Sequence, residues 1–162
     1  MKKEHKLNIF LVEDDPQYAA SLKYDIECHT SHNIRCFSSG EECVKHVKEM
    51  PDVVLLDYFL EGKLTGLDVL KQVRKFNENI QVVLLSGQEK IEVATNGMKL
   101  GAYDYIVKNQ NAFMRTRNVI NKLTQLKSLK RDHKSFIGSL VLFFVIWSAM
   151  LGILFYLVTY IF

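Results

Sequence analysis

The chain has 162 residues, enough for one domain of about 100–150 residues and an appendage. Its formal charge of +3 is an average over three different materials. Residues 1–110 hold 14 Lys/Arg and 17 Asp/Glu, residues 111–134 hold seven basic residues and one acid (Asp132), and residues 135–162 hold no charge at all. The apolar run that follows the charged start ends at Val12, before Glu13-Asp14-Asp15, which argues against a secretory signal. Three cysteines (Cys28, Cys36, Cys43) make an odd set in a chain without that signal, so reduced thiols are expected. Cys28, His29, His32 and Cys36 match no common zinc spacing.

Asn8-Ile9-Phe10-Leu11-Val12 reads as the first strand. Asp15-Pro16 predicts a helix start, with Asp15 as N-cap and Pro16 in the first turn, and leaves Glu13 and Asp14 at the strand end. That helix is expected to run to about Glu27. Ile34-Arg35-Cys36-Phe37 is a short strand. Ser38 with Glu41, and Ser39 with Glu42, both have capping-box spacing ahead of a second helix that stops before Pro51.

Val53-Val54-Leu55-Leu56-Asp57 is too short for a buried helix and fits a strand covered on both faces, with Asp57 at its carboxyl end. Taken alone, Asp57 could equally be a helix cap or a solvated loop acid. A loop follows over 58–65, then a helix from near Thr65, capped with Asp68, that shows Leu67, Leu70, Val73 and Phe76 on its apolar side. Ile80-Gln81-Val82-Val83-Leu84-Leu85 is another buried-type strand and ends in Ser86-Gly87. A helix from about Glu89 to Leu100 contains Gly97, which costs about 1 kcal/mol against Ala in a helix interior. Tyr103-Asp104-Tyr105-Ile106-Val107 is the fifth strand and leads into Lys108. From Asn111 to Lys134 neither Gly nor Pro occurs, and Phe113, Val119, Ile120, Leu123, Leu126 and Leu129 recur at helical spacing.

Strands alternating with helices call for a doubly wound α/β domain around a five-stranded parallel sheet with right-handed crossovers. In such a sheet all strand ends share one edge, where open α/β folds bind ligands. Glu13, Asp14, Asp57, Ser86 and Lys108 would therefore converge. Clustered carboxylates stay partly protonated or bind a cation, and oxygen ligands without His or Cys select Mg²⁺. A carboxylate beside Mg²⁺ can be the nucleophile toward a phosphoryl group, with Lys108 and Ser86 serving its oxygens. A plain strand-end ion pair of Lys108 with one acid explains two of these residues and leaves three unexplained.

Phe10-Leu11-Val12-Glu13-Asp14-Asp15, Val53-Val54-Leu55-Leu56-Asp57, Leu84-Leu85-Ser86-Gly87 and Gly101-Ala102-Tyr103-Asp104-Tyr105-Ile106-Val107-Lys108, in this order, make residues 6–126 resemble the receiver domain of bacterial response regulators. The resemblance implies a flavodoxin-like fold with strand order 2-1-3-4-5. It implies that Asp57 is the phosphoacceptor, served by a histidine kinase or phosphotransfer protein. It also implies that Glu13, Asp14, Asp57 and the Phe59 backbone carbonyl hold Mg²⁺, that Ser86 and Lys108 bind the phosphoryl oxygens, and that Ser86 and Tyr105 form a switch pair. No catalytic turnover is expected beyond slow self-dephosphorylation. A hydrolase using the same acids would want a second acid at position 59, where Phe59 stands.

The chain departs from the pattern at three places: Asn109 in place of a proline after Lys108, Glu61 in a loop one residue longer than usual, and Gly97 in the fourth helix.

Residues 127–134 read as a basic helical extension and 135–162 as one transmembrane helix, since about 20 apolar residues span a bilayer. Tyr156 and Tyr160 suit an aromatic belt, and a buried or dimer-forming helix is the alternative. The basic stretch (Arg115, Arg117, Lys122, Lys127, Lys130, Arg131, Lys134) could be a solvated face, a nucleic-acid patch or a membrane flank; beside an apolar span, positive-inside retention is preferred over nucleic acid. The expected protein is a stand-alone, single-pass receiver on the cytoplasmic membrane, facing the cytoplasm, without an output domain and able to form a homodimer. The alternative is an unphosphorylated adaptor that works by binding, motivated by Asn109.

Overall fold

The computed structural model describes residues 6–87 and 91–161, with the side chains of 132–136 and 154–161 outside that description. The elements are β1 (Asn8–Val12), α1 (Pro16–His29), β2 (Asn33–Phe37), α2 (Gly40–His46), a 3-10 turn (Val47–Glu49), β3 (Val53–Asp57), α3 (Gly66–Phe76), β4 (Gln81–Ser86), α4 (Ile91–Lys99), β5 (Asp104–Val107) and α5 (Ala112–Ile161). The five strands form one parallel sheet in the order β2-β1-β3-β4-β5, as expected. The strand that ends in Asp57 is the central one, and all five of its residues are buried.

Side chains alternate across a strand, so the sheet has two distinct faces, each with its own core. Ile9, Leu11, Val53, Leu55, Val83, Leu85 and Ile106 pack with Leu22 and Ile26 of α1 and Ile120 and Leu123 of α5. Phe10, Val12, Val54, Leu56, Val82 and Leu84 pack with Cys43 of α2 and Val69, Leu70 and Val73 of α3. A near-continuous apolar strand is what burial on both faces requires.

Local signals set several helix starts. Asp15 caps α1, its carboxylate accepting from the amides of Gln17 (2.9 Å) and Tyr18 (3.3 Å), with Pro16 in the first turn. Thr65 and Asp68 form a reciprocal capping box on α3. Of the two serine candidates, Ser39 caps α2, accepting from Glu42 N–H at 3.3 Å. Glu41 is then released for another task.

Corrections fall mostly at ends and faces. The second helix stops before Pro51 as expected, closing in a 3-10 turn ended by Met50 at φ 57°. Phe76, expected on the apolar side of α3, is about half exposed, while Val69 takes the buried position. The start of the fourth helix at Glu89 lies outside the described residues. Gly97 has a packing reason: a Cβ there would stand 2.3 Å from Leu84 Cδ1 in the core. The helix ends where Gly101 takes φ +89° and Ala102 N–H reaches back to Gly97 C=O at 2.9 Å, a glycine-terminated helix end.

The chain divides into two compact units, Met1–Thr124 and Gln125–Phe162. Among the described residues, no helix is long and apolar enough to cross a membrane. The transmembrane helix expected over 135–162 is therefore without support here, and Tyr156 and Tyr160 lie outside the described side chains.

Candidate functional site

The carboxyl edge of the sheet brings the expected residues together. Asp57 is the last residue of β3 and Ser86 the last of β4, while Glu13 and Asp14 follow β1 directly and Lys108 follows β5. Glu13, Asp14 and Asp57 each offer a carboxylate oxygen, and these oxygens lie within 4.8 Å of one another. Glu13, Asp57 and Ser86 are buried and Asp14 is half-buried.

Lys108 ties the acids. Its Nζ donates to Glu13 Oε1 and to Asp57 Oδ2, both at 2.8 Å. It also lies 2.6 Å from Glu13 Oε2, too poorly aligned to count as a bond to that oxygen, which is buried and has no aligned donor. Burial pushes the Glu13 carboxyl up to about 7; the Lys108 hydrogen bond opposes the shift and the negative charge of Asp57 adds to it. Desolvation thus outweighs the neighbouring ammonium.

Backbone amides hold the other acids. Asp57 Oδ1 accepts from Phe59 N–H at 3.2 Å, so the Phe59 backbone lies beside the acid while its ring is half exposed. Asp14 Oδ2 accepts from Glu61 N–H at 3.1 Å, a bond that a proline at 61 could not make. The loop carrying these donors is pinned from its far side, because Glu41 Oε1 accepts from Lys63 N–H (2.7 Å) and Leu64 N–H (3.1 Å). Backbone amides, its own first and then that of Lys63, hold the Glu41 carboxyl below its usual range.

Three acid oxygens, no His or Cys, and one buried oxygen without an aligned donor make a donor set that fits a hard divalent cation such as Mg²⁺.

Asn109, the departure after Lys108, builds a turn of its own. Its N–H donates to Val107 C=O at 2.9 Å and its side-chain oxygen accepts from Asn111 N–H at 3.0 Å. No described peptide bond is cis. Lys108 N–H donates to Ser86 C=O at 2.7 Å, and the side chain reaches the acids all the same. Ser86 pairs with Val107 across β4 and β5, and Leu84 with Tyr105. Ser86 and Tyr105 therefore sit on neighbouring strands and, by alternation, on one face of the sheet; half-buried Tyr105 packs against the α2/α3-side core.

Three residues at this edge were not singled out from sequence. Gly66 opens α3 where a Cβ would meet Asp57 C=O at 2.4 Å and the Tyr58 Cα at 2.8 Å, so the helix start presses on the Asp57 backbone itself. A glycine directly after a capping threonine was the available signal. Glu41 carried capping-box spacing, which concealed its role as a loop clamp. Tyr18 lies with its ring 4.5 Å from Lys108 Nζ; burial, then the charges of Glu13 and Asp57, push its phenol up to about 12.

Residues 9–117 match the model of the response regulator receiver domain family. An NtrX-like response regulator of Rickettsia typhi is 31% identical over 138 residues, covering 80% of this chain and 28% of that protein. The alkaline phosphatase synthesis transcriptional regulatory protein PhoP of Bacillus subtilis is 27% identical over 142 residues, covering 82% of this chain and 58% of that protein. The chain thus spans well under two thirds of these relatives. Among solved structures, NtrX from Brucella abortus superposes with a TM-score of 0.71 at 25% identity, covering 82% of this chain and 30% of that one. With a match over most of its length and the acid, serine and lysine positions on one sheet edge, the chain belongs to the response regulator receiver domain family.

Proposed function

We propose that this receiver accepts a phosphoryl group on Asp57 from a histidine kinase or phosphotransfer protein and works at the cytoplasmic face of a membrane. One observation carries the first half: Lys108 bridges buried Glu13 and Asp57 at 2.8 Å, with Asp14 completing a set of oxygens within 4.8 Å.

In this reading an Asp57 oxygen attacks the phosphorus, the P–O bond forms, and the bond from phosphorus to the donor's imidazole nitrogen breaks, leaving that nitrogen with the electron pair. Mg²⁺, held by Glu13, Asp14, Asp57 and the Phe59 carbonyl, would supply charge neutralisation at the phosphoryl oxygens. Lys108 exchanges its bond to Asp57 Oδ2 for one to a phosphoryl oxygen, and the Ser86 hydroxyl donates to another. Tyr105, on the same sheet face as Ser86, follows that hydroxyl. A local charge event would in this way bias a two-state element. Slow self-dephosphorylation is the only turnover proposed. The adaptor alternative drew its motive from Asn109, and Lys108 keeps its place despite that residue.

Acetyl phosphate with Mg²⁺ tests the reaction on the full chain. The expected result is a mass gain of one phosphoryl group, absent in Asp57→Ala. No gain, or a gain that Asp57→Ala leaves intact, would reject it.

The membrane half rests on charge order and on exposure. Residues 111–134 are strongly basic, 135–162 carry no charge, and every described residue from 137 to 153 is exposed, with the consecutive Leu140, Val141, Leu142 and Phe143 carrying apolar surface around the whole helix circumference. A helix apolar all round needs a nonaqueous partner. Lipid is proposed in preference to a second copy because the basic flank suits anionic headgroups, at about 1 kcal/mol per near-surface charge.

A further inference from the structure

We propose that Tyr18 is a positioning residue for Lys108: its ring keeps the ammonium at the strand ends when the acids that also hold it turn to a cation or a phosphoryl group. The proposal rests on the phosphoacceptor reading for one of its two readouts only.

The Lys108 ammonium has three described neighbours: Glu13, Asp57 and the Tyr18 ring, whose centroid is 4.5 Å from Nζ. Two of them are candidate ligands of a divalent cation, which would compete with an ammonium for the same oxygens and repel it. The aromatic ring is the neighbour that a hard cation does not claim, and an ammonium within about 6 Å of a ring face is attracted to it. Tyr18 is well placed to stay put. Its amide donates to the Asp15 cap at 3.3 Å, and its ring meets Phe113 of α5 edge-on at 5.5 Å within the α1/α5-side core. Lys108 continues the side-chain alternation of Ile106, which faces that same core, so its stem emerges on the Tyr18 side. After Lys108 comes a turn built by Asn109, so restraint of the side chain falls to what it touches.

NMR of the full-length chain in detergent micelles, metal-free and with ¹³C-labelled lysine ε-carbons, gives the first readout. The Lys108 ε-methylene protons, assigned by their loss in Lys108→Arg, should be shifted upfield by the Tyr18 ring current. That shift should persist in Tyr18→Phe and vanish in Tyr18→Leu. The second readout is affinity for beryllofluoride, a mimic of a carboxylate-bound phosphoryl group, with Mg²⁺ present. Tyr18→Leu should bind about five-fold more weakly, as loss of one cation–π contact implies, while Tyr18→Phe matches the wild type. Mg²⁺ affinity alone should be the same in all three, whereas a general loss of packing would lower it too. If Tyr18→Leu does not fold, Tyr18→Met takes its place. An unshifted Lys108 in the wild type, wild-type beryllofluoride affinity in Tyr18→Leu, or an equal loss in Tyr18→Phe would overturn the proposal. A wild-type chain that does not bind beryllofluoride would instead defeat the phosphoacceptor reading, and the ring-current comparison would then decide the placement of Lys108.

Discussion

At the scale of the residue, the site is a contest between burial and charge. Glu13 is 3% exposed and has an ammonium within hydrogen-bond reach, yet its carboxyl is raised from 4.5 to about 7. Between those two values the folded chain keeps a proton that the unfolded chain has released. Stability linked to that proton is whole below about 4.5 and lost as pH rises through about 7, on the order of 3 kcal/mol in all. Thermal unfolding of the metal-free chain should therefore show a lower midpoint at pH 8 than at pH 5. Glu13→Gln should flatten that difference; a midpoint that rises with pH in the wild type and is untouched by the substitution would count against it. Which acids would meet was legible in the sequence, because parallel strands put their carboxyl ends on one edge. Which neighbours would hold them was not: Glu61 reaches Asp14 across 47 residues of chain, and Tyr18 meets a lysine 90 positions away.

At the scale of the element, short-range signals read well and faces read less well. Asp15-Pro16 and Thr65-Asp68 cap their helices through contacts within three residues, so the sequence alone sufficed. The competition between Ser38 and Ser39 was settled at a distance, because Glu41 bonds a loop 22 residues on. The apolar side of α3 departs from its helical spacing at Phe76, which is about half exposed; Leu70 and Val73 are buried as expected and Val69 joins them. Two glycines distinguish packing from site geometry. In Gly97→Ala the added methyl meets a side-chain tip in the core, with a loss of about 1–2 kcal/mol after the gain in helix propensity. In Gly66→Ala it meets the Asp57 backbone, which has no rotamer to yield. Denaturant unfolding should show both variants weakened. Phosphoryl transfer should fail in Gly66→Ala and survive in Gly97→Ala; the opposite pattern would mean that α3 does not set the Asp57 geometry.

At the scale of the whole molecule, charge is sorted along the chain: an acidic stretch over residues 1–110, a basic one over 111–134, then an uncharged end. The fold was legible because alternating strand and helix periods leave few topologies, and the strand order followed. The end was not settled in the same way, since within one helix apolar composition alone does not distinguish lipid from another protein surface. Membrane fractions separate the two. The full chain should stay in the pellet through an alkaline carbonate wash, and a chain truncated after Lys134 should be released; a full chain found in the carbonate supernatant would reject the anchor. The central claim, that Asp57 carries the phosphoryl group, is tested most directly by trapping it. Borohydride reduction of the phosphorylated chain converts an aspartyl phosphate to homoserine. The account predicts homoserine at position 57 and nowhere else, and homoserine at another acid, or none in a chain that has gained phosphate, would contradict it.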